Sequence, residues 1–153
     1  MKVGKDMDKK IVEFLIRAKK ATYAGKGNES EASRPNSHDL EYNEGELKYI
    51  DTYLGSTSFA GEEALWLEGI AFWSMNYLGR VLGADFQGDF LKEALLMVPE
   101  DMPYRGPEEY TNGSFTYRCK VEGDITWFKG FEVILKNGIK VYECMFHGGE
   151  VKE

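Results

Sequence analysis

A chain of 153 residues with 42% hydrophobic and 29% charged content has the profile of one folded domain around one core, which excludes a disordered or fibrous segment. Its net charge of −7 sets it against phosphate backbones, so nucleic-acid binding by this chain alone is not expected. No apolar run approaches the ~18 residues that cross a bilayer, and the opening Met-Lys-Val-Gly-Lys-Asp carries no apolar signal core, so no membrane partner is expected either.

Residues 7–23 read as a helix. Asp6 or Asp8 can cap it, Ile11, Phe14, Leu15 and Ala18 recur at helical spacing, and Gly25 and Gly27 follow its end. Its cations Lys9, Lys10, Arg17, Lys19 and Lys20 read as a solvated face. The stretch 26–39, KGNESEASRPNSHD, is rich in turn formers and reads as a loop that is mobile or folds over something. From Leu40 to Arg80, glycines punctuate short aromatic and apolar runs, the signature of strands, with a tight hairpin in LEGI around Gly69. A second helix is predicted over 86–98, with Phe90, Leu91, Ala94, Leu95 and Val98 on one face and Pro99 as its stop. EDMPYRGPEEY connects it to further strands that run to the end, and KNGI at 136–139 is an Asn-Gly hairpin signal.

The strand regions match each other. Glycines at 45, 55, 61, 69 and 79 reappear in the same order at 113, 123, 130, 138 and 148, with one residue inserted between Gly123 and Gly130. In that register Tyr42 meets Tyr110, Tyr49 meets Tyr117, Phe59 meets Phe128, Glu63 meets Glu132 and Ile70 meets Ile139. The fold class that follows is α+β: a two-layer arrangement with a mostly antiparallel sheet and two helices on one face. It reads as a single domain over 1–153, with internal duplication as helix-strands, helix-strands, in halves 7–83 and 84–149.

Strand alternation sorts the side chains between faces. Phe131, Val133 and Leu135 form an all-apolar series and read as the helix-covered core. Glu63 and Glu132 then fall on the opposite, open face. Trp73, Met75 and Tyr77 share one side of their strand, and Phe72, Ser74 and Asn76 the other. A strand apolar on both sides is buried twice or borders a cavity.

The chemical inventory is thin. His38 and His147 are the only histidines, and the two cysteines, Cys119 and Cys144, form no C-x-x-C pair. Both cysteines read as reduced core thiols in a cytoplasmic protein. No metal site, phosphate loop, nucleophile elbow or cofactor fingerprint is present, so no cofactor is expected. The carboxylates remain. Asp51 lies between Tyr49 and Tyr53, and an acid among tyrosines is either a structural hydrogen-bond partner or a ligand contact. Trp73 and Tyr77 offer stacking surface, and Asn76 a polar contact.

At SRPNSHDLEYNEGELKYIDTYLGSTSFAGEEALW, FWSMNYLGRVL, GDFLKEALLMVPEDMPYRGPEEY and VYECMFHGG, the chain resembles a bacterial domain family of unknown function, over nearly its whole length. That family occurs alone and behind a phage-repressor-type helix-turn-helix, which implies a sensory or regulatory role and supplies no catalytic residues. Residues 1–37 offer one helix, too little for a helix-turn-helix. The duplicated layout is also similar to the gyrase-inhibitor-like, small-molecule-binding domains of multidrug-sensing regulators. Those hold ligands between two repeats with aromatics and an acid. This chain departs from them in starting on a helix with no clear strand before it.

The sequence therefore predicts a cytoplasmic module that binds a small organic molecule, aromatic or cationic. Tyr49, Asp51, Tyr53, Glu63, Trp73, Asn76 and Tyr77 are its expected contacts, on the open sheet face. The competing readings are a small hydrolase-type enzyme with a carboxylate base, less favoured than a non-enzyme, and an interaction module in which a homodimer covers Trp73 and Tyr77.

Overall fold

The computed structural model describes residues 8–153; Asp6 and Met7, the alternative cap and expected first residue of the first helix, lie outside the described residues. Helix α1 runs Lys9–Ala21, and the Asp8 carboxylate caps it by accepting from the Lys10 amide at 2.6 Å. At its other end the Thr22 hydroxyl donates back to the Ala18 carbonyl at 2.8 Å. Helix α2 spans only Gly88–Leu95, inside the expected 86–98. Pro99 disfavours helical geometry at Val98, so the last expected turn opens early, yet Val98 is still buried.

Eight strands make one sheet: β1 (His38–Glu44), β2 (Leu47–Gly55), β3 (Ser58–Leu67), β4 (Ile70–Val81), β5 (Glu109–Asn112), β6 (Phe115–Asp124), β7 (Trp127–Lys136) and β8 (Ile139–Glu150). Their order across the sheet is β1-β2-β3-β4-β8-β7-β6-β5, with every neighbouring pair antiparallel. The protein is thus α+β with an antiparallel sheet. Each half is a meander of consecutive hairpins, and the halves join where β4 pairs β8, Tyr77 standing opposite Phe146.

The tight turns sit where the sequence signals place them. Leu67 pairs Ile70 across Glu68 (φ +51°) and Gly69 (φ +81°); Lys136 pairs Ile139 across Asn137 (φ +49°) and Gly138 (φ +79°). Two successive left-handed residues are what a two-residue hairpin needs to match strand twist. Register also shifts at matching places, between Leu65 and Trp66 in β3 and between Ile134 and Leu135 in β7.

The assignment of faces is the reverse of the expected one. Glu63 and Glu132 are buried, on the side that carries Tyr49, Trp73, Met75, Tyr77, Tyr142 and Phe146. Phe131 is 48% exposed and lies on the other side, beside exposed Met145 and Leu78. Apolarity misled because a carboxylate can be buried when cations and hydroxyls satisfy it, while an apolar strand edge can face water. Both helices touch the Glu63 side: Phe14 meets Tyr42 at 5.7 Å between ring centres, and Phe90 meets Phe115 at 5.1 Å. The loop after α1 is folded back on β1. Ser33, Ser37 and Thr52 donate to the Asp39 carboxylate, at 2.6, 2.7 and 3.0 Å, and the Ser30 amide donates to the Asp39 carbonyl at 2.7 Å.

Candidate functional site

A cavity of about 240 Å3 lies between the buried face of the sheet and the segments that cover it. Sheet strands supply Tyr49, Asp51, Glu63, Tyr77 and Tyr142 to its wall; α1 supplies Lys19, and α2 supplies Leu91 and Leu95. Tyr104 and Arg105 close it from the connection between α2 and β5. Half-exposed His38 and Glu29 stand at its rim, joined at 2.7 Å, and the His38 ring stacks on Tyr53 at 4.9 Å. The folded-back loop is what brings Glu29 there.

Five buried charged groups meet at this level of the sheet: Lys19, Asp51, Glu63, Arg105 and Glu132. They form two unlike clusters. Around Glu132 every position is taken. Arg105 donates through Nε to Oε1 at 2.9 Å and through a terminal nitrogen to Oε2 at 2.7 Å. Tyr117 and Tyr142 add one hydroxyl each, both at 2.6 Å. Burial pushes the Glu132 carboxyl upward, but Arg105 and the two hydroxyls outweigh it and hold the group below its usual range. This is a bidentate, fully satisfied buried ion pair.

Around Glu63 the satisfaction is partial. Lys19 Nζ and the Tyr49 hydroxyl both donate to Oε1, at 2.8 and 2.5 Å, and Lys19 also donates to the Tyr104 carbonyl at 2.6 Å. Asp51 stands directly opposite Glu63 across β2 and β3, and its Oδ1 accepts from Tyr77 at 2.5 Å. Among the described residues, Glu63 Oε2 and Asp51 Oδ2 take no hydrogen bond from the protein. Neither is sealed in: among the described residues, Glu150 Oε1 is the one buried side-chain oxygen that has no partner. Both unused oxygens therefore open on the cavity. Burial, then the Glu63 charge, pushes the Asp51 carboxyl up to about 7, although Tyr77, Arg105 and Lys19 pull the other way.

When Asp51 is ionised, charge does not balance here. Three carboxyls, of Asp51, Glu63 and Glu132, face two cations, of Lys19 and Arg105. Much of the remaining wall is aromatic: Phe59 lies 5.9 Å from Tyr77 and 6.2 Å from Tyr142, and Tyr23 meets Tyr53 edge-on at 6.0 Å. Arg105 caps the Tyr77 ring at 5.3 Å.

Of the residues expected to form a site, Tyr49, Asp51, Tyr53, Glu63 and Tyr77 line this one cavity. Trp73 does not. It is fully buried away from the cavity, donates through Nε1 to the Ile125 carbonyl at 2.9 Å and stacks on Phe128 at 5.9 Å. Asn76 points to the outer face, where a broader hollow of about 1240 Å3 also touches Leu78, Phe131 and Met145. Trp73 and Tyr77 are both buried within the chain itself.

Lys19 and Arg105 were not among the expected contacts. Lys19, expected on a solvated face, is buried. Its signal was its place four residues after Leu15 and eight after Ile11, on the apolar stripe of α1. Arg105, within PYRGPEEY, belongs to no periodic element, and nothing local marks it as buried. Tyr23, Phe59, Phe86, Tyr104 and Tyr142 were missed as walls because they come from five separate segments.

An antiparallel α+β domain with an aromatic cavity walled by part-satisfied carboxyls is the class of protein defined so far. No helix among the described residues is long and apolar enough to cross a membrane. The chain belongs to the DUF5680 family, a domain of unknown function, whose sequence model matches residues 51–151. The match takes in Asp51, Glu63, Tyr77, Arg105 and Glu132, and starts after Lys19, Tyr23 and Tyr49. No curated protein and no solved structure matches the chain.

Proposed function

We propose that this chain is a small-molecule-binding module with a sensory role, and that its ligand occupies the cavity walled by Asp51, Glu63 and Tyr77. One observation carries the reading: empty space coincides with unused polarity. A cavity of about 240 Å3 meets one unbonded oxygen on each of two buried carboxyls. Open to the cavity, these oxygens are within reach of water, and a ligand that donates to both replaces loosely held water with fixed partners. The volume exceeds the ~150 Å3 that holds benzene and falls below the ~300 Å3 where drug-sized sites begin. It suits one ring with a short substituent.

The two-layer plan with internal duplication supports the same reading. The Tyr49–Glu63 pair in one half corresponds to Tyr117–Glu132 in the other, each joined by a short hydroxyl bond. Two copies of one unit have diverged, one filled and one hollow. Both cysteines are free, buried and pushed up to about 12, chiefly by burial, which accords with unreactive thiols in a reducing cytoplasm.

Thermal unfolding across a panel of one-ring compounds tests the proposal. A ligand at one hundred times its Kd adds about 2.7 kcal/mol, or roughly 5–10 °C of Tm for a domain of this size. Ala24 lines the cavity. Ala24→Leu fills it, and should abolish that shift without unfolding the protein. A panel that raises Tm equally in both proteins places the ligand elsewhere.

A second reading, as a hydrolase-type enzyme, draws on Asp51. A buried carboxyl titrating at about 7 beside a tyrosine hydroxyl is poised as a general base. Turnover of a bound compound that disappears in Asp51→Asn would favour it over binding alone.

A further inference from the structure

The filled half of the molecule indicates what the hollow half takes. In the second half, Glu132 is neutralised by a guanidinium from the chain itself, Arg105, held in two-point contact with its Cζ over the Tyr77 ring. At the corresponding place before β1 the first half has Ser37, which turns away to bond Asp39. Among the described residues, no cation beyond Lys19 bonds Glu63, and Lys19 bonds only one of its oxygens. Where β6 carries Cys119, β2 carries Asp51, a further carboxyl. The hollow half thus has one more acid than its twin and the same single cation, which bonds one carboxylate oxygen where Arg105 bonds two.

From this asymmetry we infer that the ligand is an organic monocation with an amidinium, guanidinium or ammonium head on an aromatic or compact apolar body, bound between Asp51 Oδ2 and Glu63 Oε2. The inference rests on the proposed function and gives that site its ligand chemistry. The head takes the two unused acceptors and balances the third carboxyl. The body lies against Tyr53, Tyr77, Phe59 and Tyr142, whose ring faces attract a cation. An anion would meet Asp51 and Glu63 directly, and the cations it would need are already committed to Glu63 and Glu132. A neutral amide or alcohol could bond the same oxygens but would leave Asp51 protonated and could not draw on the attraction of two ionised carboxylates.

Binding of such a cation draws Asp51 into its charged form, so one proton leaves as the ligand enters. The groups facing Asp51 are Glu63 and Tyr77 from the sheet, Lys19 from α1, Tyr23 from the turn after α1, Arg105 from the connection after α2, and Glu132 beyond it. Across the same cavity are Tyr49, Tyr53, Tyr104 and Tyr142, with His38 and Glu29 at the rim. The four cations and acids other than Asp51 are already engaged with one another.

Isothermal titration of the full chain with benzamidine, phenethylamine, benzamide, benzyl alcohol and benzoate tests this. Running it at pH 6 and pH 9, in two buffers of different protonation heat, counts the protons released. The expected result is binding by the two cations, at least tenfold tighter than by any neutral or anionic compound. Release should approach one proton at pH 6 and fall to near zero at pH 9. Asp51→Asn should weaken the cations at least tenfold at pH 9, where the wild-type carboxyl is charged, and should abolish the proton release. Neutral or anionic compounds binding as well as the cations, with the same affinity in Asp51→Asn, would overturn the cation assignment and leave the binding module standing. Silence from every compound, charged or not, would overturn both. Since Asp51→Asn can disturb folding, the proton count on the wild-type protein stands as a separate readout.

Discussion

Asp51 differs from Glu63 and Glu132, the buried acids beside it: no cation bonds its carboxyl. Its titration at about 7 has a signed consequence for stability. Below pH ~4 the carboxyl is protonated in both the folded and unfolded chain, and its burial is not penalised. Between pH ~4 and ~7 the unfolded chain sheds the proton while the folded chain keeps it, so stability falls as pH rises, by on the order of a few kcal/mol in total. Asp51→Asn keeps an acceptor for Tyr77 and removes the titration. Its Tm relative to wild type should therefore climb from pH 4 to pH 8 in scanning calorimetry; a flat difference would mean that Asp51 titrates normally. Arg105 carries the opposite risk. Arg105→Ala leaves Glu132 buried without its cation and should cost about 3–5 kcal/mol in urea unfolding. Adding Glu132→Gln to that variant should restore part of the loss, since the stranded charge is then gone.

At the scale of elements, the hairpins are the part of the fold most plainly written in the sequence. Gly69 and Gly138 mark two-residue turns because their positions need left-handed backbone. The residues before them differ in fitness for that geometry. Asn137 tolerates a positive φ, whereas Glu68 at +51° carries a steric penalty. Glu68→Asn should raise unfolding stability by ~0.5 kcal/mol, and the reciprocal Asn137→Glu should lower it by a similar amount, both read as shifts in the urea midpoint. Helix faces were equally legible, since Ile11, Phe14, Leu15 and Ala18 all became core. Sheet faces were not. Alternation separates Phe131 from Glu132 but does not say which side is covered. That depends on Arg105, Tyr117 and Tyr142 arriving from other elements to satisfy Glu132. Helix ends were overreached for a related reason: Pro99 acts on the residue before it, so α2 closes at Leu95.

Across the whole molecule, the two halves meet at β4 and β8 and build one sheet, whose buried side holds one filled and one hollow carboxyl site. The sequence indicated aromatics and acids as the site chemistry, because Tyr49, Asp51, Tyr53, Glu63 and Tyr77 lie on two neighbouring hairpins. It placed them on the open face, because no local pattern reveals that α1 and the 26–39 loop fold over them. The outer face keeps exposed Leu78, Phe131 and Met145. These two faces separate the competing accounts of the molecule, since strand alternation puts residues one position apart on opposite sides of the sheet. The most direct measurement is an amide-resolved NMR titration of the 15N-labelled protein with benzamidine. The account expects shifts concentrated at Asp51, Tyr53, Glu63, Tyr77 and Arg105, saturating together with one affinity. Shifts confined to Leu78, Phe131 and Met145, with the Asp51 and Glu63 amides unmoved, would contradict it.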